Sequence, residues 1–544
     1  MVKIVRIEEM QAIEAAADRG GLSYASMMEN AGRGFALQLQ TLLRDVEGKH
    51  ILILVGPGNN GGDGLVAAHY LAEMGSQVAV YLSHARSGED VNYARLQGRM
   101  PVITAEDDAG LEILQARAEE ADVVVDALLG TGFRLPMRPG IGSLLVALQT
   151  ALEARNEPVP IAAVDCPSGL ECNTGNIAAE TLRAVWTVTF AAAKLGHFLR
   201  QGPDYCGKLS VVGIGLPEDL KEMKDVSVEM MTAADAARLL PYRPHDSHKG
   251  TFGTVCVVAG SLNYPGAPVL VALGAYRAGA GLVRLAVPLP LQAVNAAAVP
   301  EAIWTLLPHE LGVLTESATE VLMPVMKAAD TVVLGPGLGQ DPATLRFVDR
   351  LFNSPKQPRK GTIGFIHEEE GVGGVAEDRL PRFVLDADGL RLLAKIEEWA
   401  EHLPPDSILT PHPGEMACLT GLSVEQIQAD RVETARRWAQ TWGHVVVLKG
   451  AFSVVAAPDG RAAVVPIATS ALATAGSGDV LAGVIGALLA QGNAAYDAAL
   501  LGVYLHAHAG ELAAEKAGWE GSVMARDVAD LLGRAAANVS AHAS

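Results

Sequence analysis

Residues 50–74 read HILILVGPGNNGGDGLVAAHYLAEM. After one histidine, the run to Val55 is apolar, the pattern of a short strand buried on both faces. Gly56–Gly64 packs five glycines into nine residues, a helical pattern follows from about Asp63 to Met74, and Gln77–Leu82 reads as the next strand. Strand, glycine-rich turn, helix and strand make the repeating unit of a parallel sheet covered by helices on both faces. In such sheets ligands sit beyond the carboxyl ends of the strands. Glycine permits close backbone approach, so main-chain N–H groups of this turn are free to face a phosphate. A plain tight turn has no need of Asn59, Asn60 and Asp63 together. The spacing is not GxGxxG, so a redox dinucleotide site does not follow from it.

The same alternation extends through the first half. Residues 7–45 read as helical, and further strands are expected at 121–126, 161–165, 185–190 and 209–214. Asp126 ends one of them before Leu-Leu-Gly-Thr-Gly-Phe-Arg, and Asp165 ends another before Cys-Pro-Ser168-Gly. Two carboxylates at neighbouring strand ends suit either cation binding or acid–base work. Taken singly, a strand-end aspartate is as often a turn or cap residue. A stretch rich in Pro, Lys, Glu and His over 216–249 places a boundary near 226, giving domains 1–225 and 226–544.

The second half restarts with a strand at 251–259 and a Gly/Ala-rich helix at 267–280. Strands at 331–334, 383–386 and 444–448 follow, with a hairpin around Pro458-Asp459-Gly460. Near the end stands Thr474-Ala-Gly-Ser-Gly-Asp-Val-Leu-Ala-Gly483. Small residues before Asp479, which opens an apolar helix, leave backbone N–H groups able to cradle a transferring phosphoryl group. Asp479 beside them is suited to take a proton from a substrate hydroxyl. Lys449-Gly450-Ala451 follows a strand, Gly335-Pro-Gly-Leu-Gly339 offers another backbone cradle, and His412 is held between two prolines. His506 and His508 lie two apart on a helix and share no face, so they read as ordinary structural residues. The stretch 353–382, Gly- and Glu-rich with little periodicity, reads as a surface insertion.

Composition narrows the class. A chain of 544 residues exceeds one ordinary core, and a formal charge of −20 argues against non-specific nucleic-acid binding or an anionic membrane surface. Five scattered cysteines show no CxxC pair, which fits reduced thiols in a cytoplasm. The N-terminus carries acids where a signal peptide needs an apolar core, and no apolar run is long enough to span a bilayer. A soluble, cytoplasmic protein is expected.

In order along the chain, GPGNNGGDG, VVVDALLGTGF and AVDCPSG resemble the NAD(P)H-hydrate epimerase domain. DSHKGTFG, SLNYPGA, LGPGLG, VLDADGL, TPHPGE, LKGA and AGSGD resemble the ADP-dependent NAD(P)H-hydrate dehydratase. The fused order resembles that of bifunctional bacterial nicotinamide nucleotide repair enzymes. The resemblance implies two α/β domains, a Rossmann-like three-layer αβα sandwich followed by a ribokinase-like αβα domain. It implies hydrated NADH and NADPH as substrates, ADP as phosphoryl donor with Mg²⁺, and a homo-oligomer.

For the first domain it implies hydrate contacts at Asn59, Asn60, Gly61, Gly62 and Asp63, and at Gly130, Thr131, Gly132, Phe133, Arg134, Leu135 and Pro136. Asp165 is then the acid–base residue, and Asn60, Asp126 and Ser168 are ligands of K⁺. For the second it implies the S hydrate at Ala267, Gly337, Gly339, His412 and Asp479, with Asp479 as catalytic base. Nucleotide contacts fall at Lys449, Gly450, Ala451, Phe452, Ser453, Gly476 and Gly478. Where the family usually has Asp-Ala-Asp-Ala-Leu-Asn, this chain has Asp386-Ala-Asp388-Gly-Leu-Arg391. Ser477 stands where members often have Thr. Two other readings compete: a small-molecule kinase with an accessory domain, and an N-terminal half that serves as a binding module.

Overall fold

The computed structural model describes residues 1–353 and 380–542 and divides into two compact units, Met1–Met230 and Met231–Ser544. Residues 354–379, most of the expected insertion, lie outside the described residues.

The first unit holds a seven-stranded sheet in the order 102–104, 77–82, 50–55, 123–127, 161–164, 186–190, 208–212. Every pairing in it is parallel. One core lies between the sheet and the helices Ile7–Arg19, Tyr24–Leu43 and Asn59–Glu73. A second lies against Glu112–Glu120 and Pro139–Glu153 on the opposite face, which makes the three expected layers. The chain starts the sheet in its middle, runs to one edge, and returns beside its starting strand at Val123–Ala127. Strand order reverses there, so the loops after 50–55 and 123–127 diverge and leave a crevice. Gly56 lets them stay close at the base: an added Cβ would stand 1.7 Å from the Leu128 carbonyl oxygen.

Several boundaries differ from the sequence reading. The segment 7–45 is two helices, broken at Gly20–Gly21 and restarted by Ser23, whose Oγ accepts from the Ser26 amide. The helix expected from about Asp63 starts four residues earlier, at Asn59. Asn59–Asp63 are therefore its opening turn rather than loop, and their amides point along its axis. Asp126 lies inside its strand, whereas Asp165 follows Val164 with φ +64°.

The second unit repeats the plan. Its sheet runs 303–307, 282–288, 254–258, 331–334, 382–385, 408–409, 445–448, 454–456, 462–464. It is parallel up to 445–448 and antiparallel over the expected hairpin. Here the reversal falls between 254–258 and 331–334, again beside the first strand of the sheet. Helix Ser477–Ala490 is buried from Val480 to its end and packs on Ala267–Arg277. Asp479 does not open this helix. Gly476, at φ +86°, is the residue before it, and Asp479 is the third residue of the first turn.

Candidate active sites

In the first unit a cavity of about 980 Å³ opens over the crevice. Asn59, Asn60 and Asp63 from the helix start line it, as do Gly130–Arg134, Pro136 and Asp165. Gly61, Gly62 and Leu135 stand outside its lining; Gly62 packs at Met28, and the Leu135 amide donates to Glu171 (3.1 Å). Arg86 steadies the turn by donating to the Gly56 and Gly58 carbonyls at 2.6 and 2.9 Å.

Asp165 sits at the cavity floor with one carboxylate oxygen clamped. Its Oδ1 accepts from Thr189 Oγ1 (2.7 Å), from the Phe190 amide (3.2 Å) and from Lys194 Nζ. Lys194 also donates to Thr189 Oγ1 and the Phe190 carbonyl, and it is almost fully buried. Burial alone would raise the Asp165 pKa. The Lys194 charge, with the hydrogen bonds from Lys194 and Thr189, outweighs burial and holds the carboxyl below the usual carboxylate range. His197 accepts the Lys194 amide on Nδ1 (3.2 Å), and burial followed by the Lys194 charge pushes its pKa down to about 3. It is a neutral prop.

Two further carboxyls line the cavity, Glu14 and Asp63. Burial raises both, and for Asp63 the charges of Asp165 and Glu14 add to the effect. Lys194 and Glu14 were not among the expected site residues, although both leave a trace in the sequence. Lys194 is a lone cation in the apolar run TVTFAAAKLGHF, and Glu14 falls on the stripe of Met10, Ile13 and Ala17, the buried face of its helix.

Beneath the cavity, Asp126, Ser168 and Asn60 come together. Ser168 gives its Oγ–H and its amide to the two Asp126 oxygens (2.5 and 2.8 Å), while Asn60 Nδ2 donates to the Leu129 carbonyl (3.0 Å). Asp126 is only 1% exposed. Burial raises its pKa, against the Ser168 and Leu128 hydrogen bonds, and no cation among the described residues contributes.

In the second unit Lys449 organises the site. Its ammonium lies 2.5 Å from Asp386 Oδ1 and 3.8 Å from Glu415 Oε2, and Glu415 Oε1 lies 3.2 Å from His412 Nε2. Burial opposes the Lys449 charge, but Asp386 and Glu415 more than offset it, so its pKa is raised. His412 caps helix Pro413–Thr420, its Nδ1 accepting from the Gly414 amide (3.0 Å). Gly478 opens onto this group: a Cβ there would stand 3.4 Å from Lys449 Nζ and 3.6 Å from Asp386 Oδ2. Asp479 follows, with its pKa raised to about 7 by burial first and by Asp386 next, against the pull of Lys449.

Gly337 lies against Tyr264 and Ala267, and the Gly339 amide donates to Asp388 (2.9 Å), so of the expected hydrate contacts Ala267, Gly337 and Gly339 lie close together. Ser453 Oγ donates to the Gly450 carbonyl (2.9 Å), and Arg431, buried, donates to the Leu448 (3.0 Å) and Ala451 carbonyls. Arg431 thus shapes the Lys449–Ser453 turn from behind. His506, read from sequence as merely structural, donates through Nε2 to the Ser477 carbonyl (2.9 Å). Burial pushes its pKa down to about 4, so this bond comes from a neutral ring that fixes the first residue of the Asp479 helix.

Residues 255–534 match the family described as NAD(P)H-hydrate dehydratase, and residues 24–196 match the YjeF-related protein N-terminus. The bifunctional NAD(P)H-hydrate repair enzyme Nnr of Moorella thermoacetica is 37% identical over 93% of this chain and 91% of its own length. Its counterpart from Thermofilum pendens is 35% identical, covering 96% and 94%, and that of Escherichia coli 34%, covering 95% and 91%. A crystal structure of ADP/ATP-dependent NAD(P)H-hydrate dehydratase from Bacillus subtilis is 29% identical, covering 57% of this chain and 99% of that chain, with a TM-score of 0.47. End-to-end coverage at this identity, with both half-chain families matched in order, makes this chain a member of the bifunctional NAD(P)H-hydrate repair enzymes.

Proposed function

We propose that the first unit interconverts the R and S hydrates of NADH and NADPH through Asp165, and that the second dehydrates the S form at the expense of ADP through Asp479. The observation that carries the reading is one aspartate near a lysine in each unit: Asp165, after strand Ile161–Val164, paired with Lys194, and Asp479, in the first turn of helix Ser477–Ala490, beside the Lys449–Asp386 pair.

In the second unit Asp479 takes the proton of the C6 hydroxyl, whose oxygen attacks the terminal phosphoryl of ADP. Amides of Gly476–Gly478 and the Lys449 ammonium face the charge that develops on the phosphoryl oxygens. Phosphate then leaves C6, pushed by the ring nitrogen, and loss of the C5 proton restores NAD(P)H beside AMP and phosphate. Mg²⁺ fits as a companion of the nucleotide because Asp386 offers a hard oxygen donor near Gly478 and Asp388 another beside Gly339. Bound there, it would neutralise phosphate charge.

K⁺ fits the Asn60, Asp126 and Ser168 group. These are hard oxygen donors, and the Asp126 carboxylate is buried with only neutral donors about it. A monovalent cation would supply the missing counter-charge and brace the turn that carries Asn59–Asp63. Among the described residues no helix is long and apolar enough to cross a membrane; we place the protein in the cytoplasm, as a homo-oligomer.

One incubation tests both halves: mixed R and S NADPH hydrate with ADP or ATP, followed by the absorbance of restored NADPH. Complete conversion with release of AMP and phosphate is expected with ADP. A halt near the initial S fraction would remove the epimerase assignment, and a stable phosphorylated product would make the second unit a kinase.

A further inference from the structure

The cavity of the first unit holds more acid–base equipment than one base requires. Asp165 receives three donors on Oδ1, so it is held ionised with Oδ2 left for the substrate. Among the described residues the Asp63 carboxyl has no hydrogen-bond donor, and it shares the cavity with Glu14 and Asp165. A carboxyl with no donor to stabilise its charge, facing two other acids, keeps its proton. The two groups come from separate elements, Asp63 from helix Asn59–Glu73 and Asp165 from the end of strand Ile161–Val164. The cations divide by depth: Lys194 is buried on Asp165, while Arg134 and Arg138 line the cavity and are exposed.

We propose that Asp63 is the second catalytic residue of the exchange, the general acid that releases the C6 hydroxyl as water, with Asp165 the base that admits a solvent water to the other face. The inference rests on the epimerase reading above and specifies its chemistry. The C6–O bond breaks with its electron pair going to oxygen, which takes the Asp63 proton. The N1 lone pair forms a C6=N1 double bond, leaving a cationic ring. Solvent water then adds to C6 and gives its proton to Asp165, which closes the balance. The reverse passage returns both carboxyls to their starting states.

The alternative opens the ring, with an alkoxide at C6 and cleavage of C6–N1. Glu14, Asp63 and Asp165 in one cavity oppose that negative charge and favour a cation. Glu14 is in this scheme a positioning residue, whose neighbouring charge keeps the proton on Asp63.

The test is oxygen exchange. R-NADPH hydrate is incubated with the full chain in H₂¹⁸O without nucleotide, and the S product is examined by mass spectrometry. One ¹⁸O in each inverted molecule is expected; S hydrate formed without label overturns the step while leaving the epimerase reading intact. Absence of any catalysed S hydrate would instead bring down that reading and this one with it. Asp63→Ala should lower the exchange by about 100-fold or more, and imidazolium buffer should restore part of it by supplying the missing proton. Loss without rescue in a variant that still binds NADPH hydrate assigns Asp63 a structural role and overturns the proposal.

Discussion

Asp165, which follows a strand, and Asp479, in the first turn of a helix, each lie near a lysine and are treated in opposite ways. In the first unit the buried lysine pairs directly with the working aspartate, and the carboxyl is held below its usual range. In the second, Lys449 pairs with Asp386 instead, and Asp479, hemmed by Asp386, Asp388 and Glu415, is pushed up to about 7. Burial raises a carboxyl in both places; what differs is which acid the lysine satisfies. A base that must be ionised when the exchange starts benefits from the first arrangement. A base that must attract a proton from a hydroxyl gains driving force from the second.

The largest expected effect is a clean separation of activities. Asp165→Asn should cut R-to-S exchange by about 10³-fold and leave S-hydrate dehydration unchanged, while Asp479→Asn does the reverse. Loss of both activities in either variant would mean that the two sites are not independent. Next comes Lys194→Met, which leaves only the Thr189 and Phe190 hydrogen bonds to oppose burial of Asp165 and raises its pKa. Exchange at pH 7 should fall by about 100-fold and recover as pH rises; a uniform loss across pH would show that Lys194 acts by packing.

A smaller effect separates the unsubstituted halves by pH. In kcat/KM, which reports the free enzyme, dehydration should rise by about tenfold per pH unit below about 7 and level off above it, since Asp479 must be ionised. Exchange should show no base limb in that range, because Asp165 is ionised throughout. Coincident profiles would erase the contrast drawn between the two aspartates.

The smallest effect is on stability. The folded pKa of Asp479 lies above its unfolded value of 3.8, so its charge penalises the fold as pH rises from about 4 and fully above 7. Asp165 is the opposite case: its lowered pKa contributes stability above the unfolded value, lost as pH falls through the folded one. At pH 8, without ligands, Asp479→Asn should therefore raise Tm by about 3 °C, and Asp165→Asn, which strands the Lys194 charge, should lower it by a similar amount or more. Shifts of the same sign in both would contradict the electrostatic account.

Much was legible because the informative signals were local. Apolar runs of strand length, glycine-rich turns after them and small residues before Asp479 are consequences of neighbouring residues. What was read less well depended on distance or on caps. Helix starts moved to Asn59 and Ser477, the second because Gly476 takes the left-handed φ of +86° just before it. Short strands such as Ile408–Leu409 carry too little pattern to stand out. Lys194 stands 29 residues from Asp165, and Lys449 stands 63 from Asp386. No periodicity links such pairs, so their pairing escaped the sequence.

Chemistry and architecture were thus written in the residue order: two α/β units, an aspartate in each, and cradles of glycine beside them. Which lysine neutralises which carboxyl, and therefore which aspartate is held ionised and which is held near neutrality, was settled by folding. The reason is that a pKa responds to burial and to charges within a few ångströms, and those neighbours are assembled from strand ends far apart in the chain.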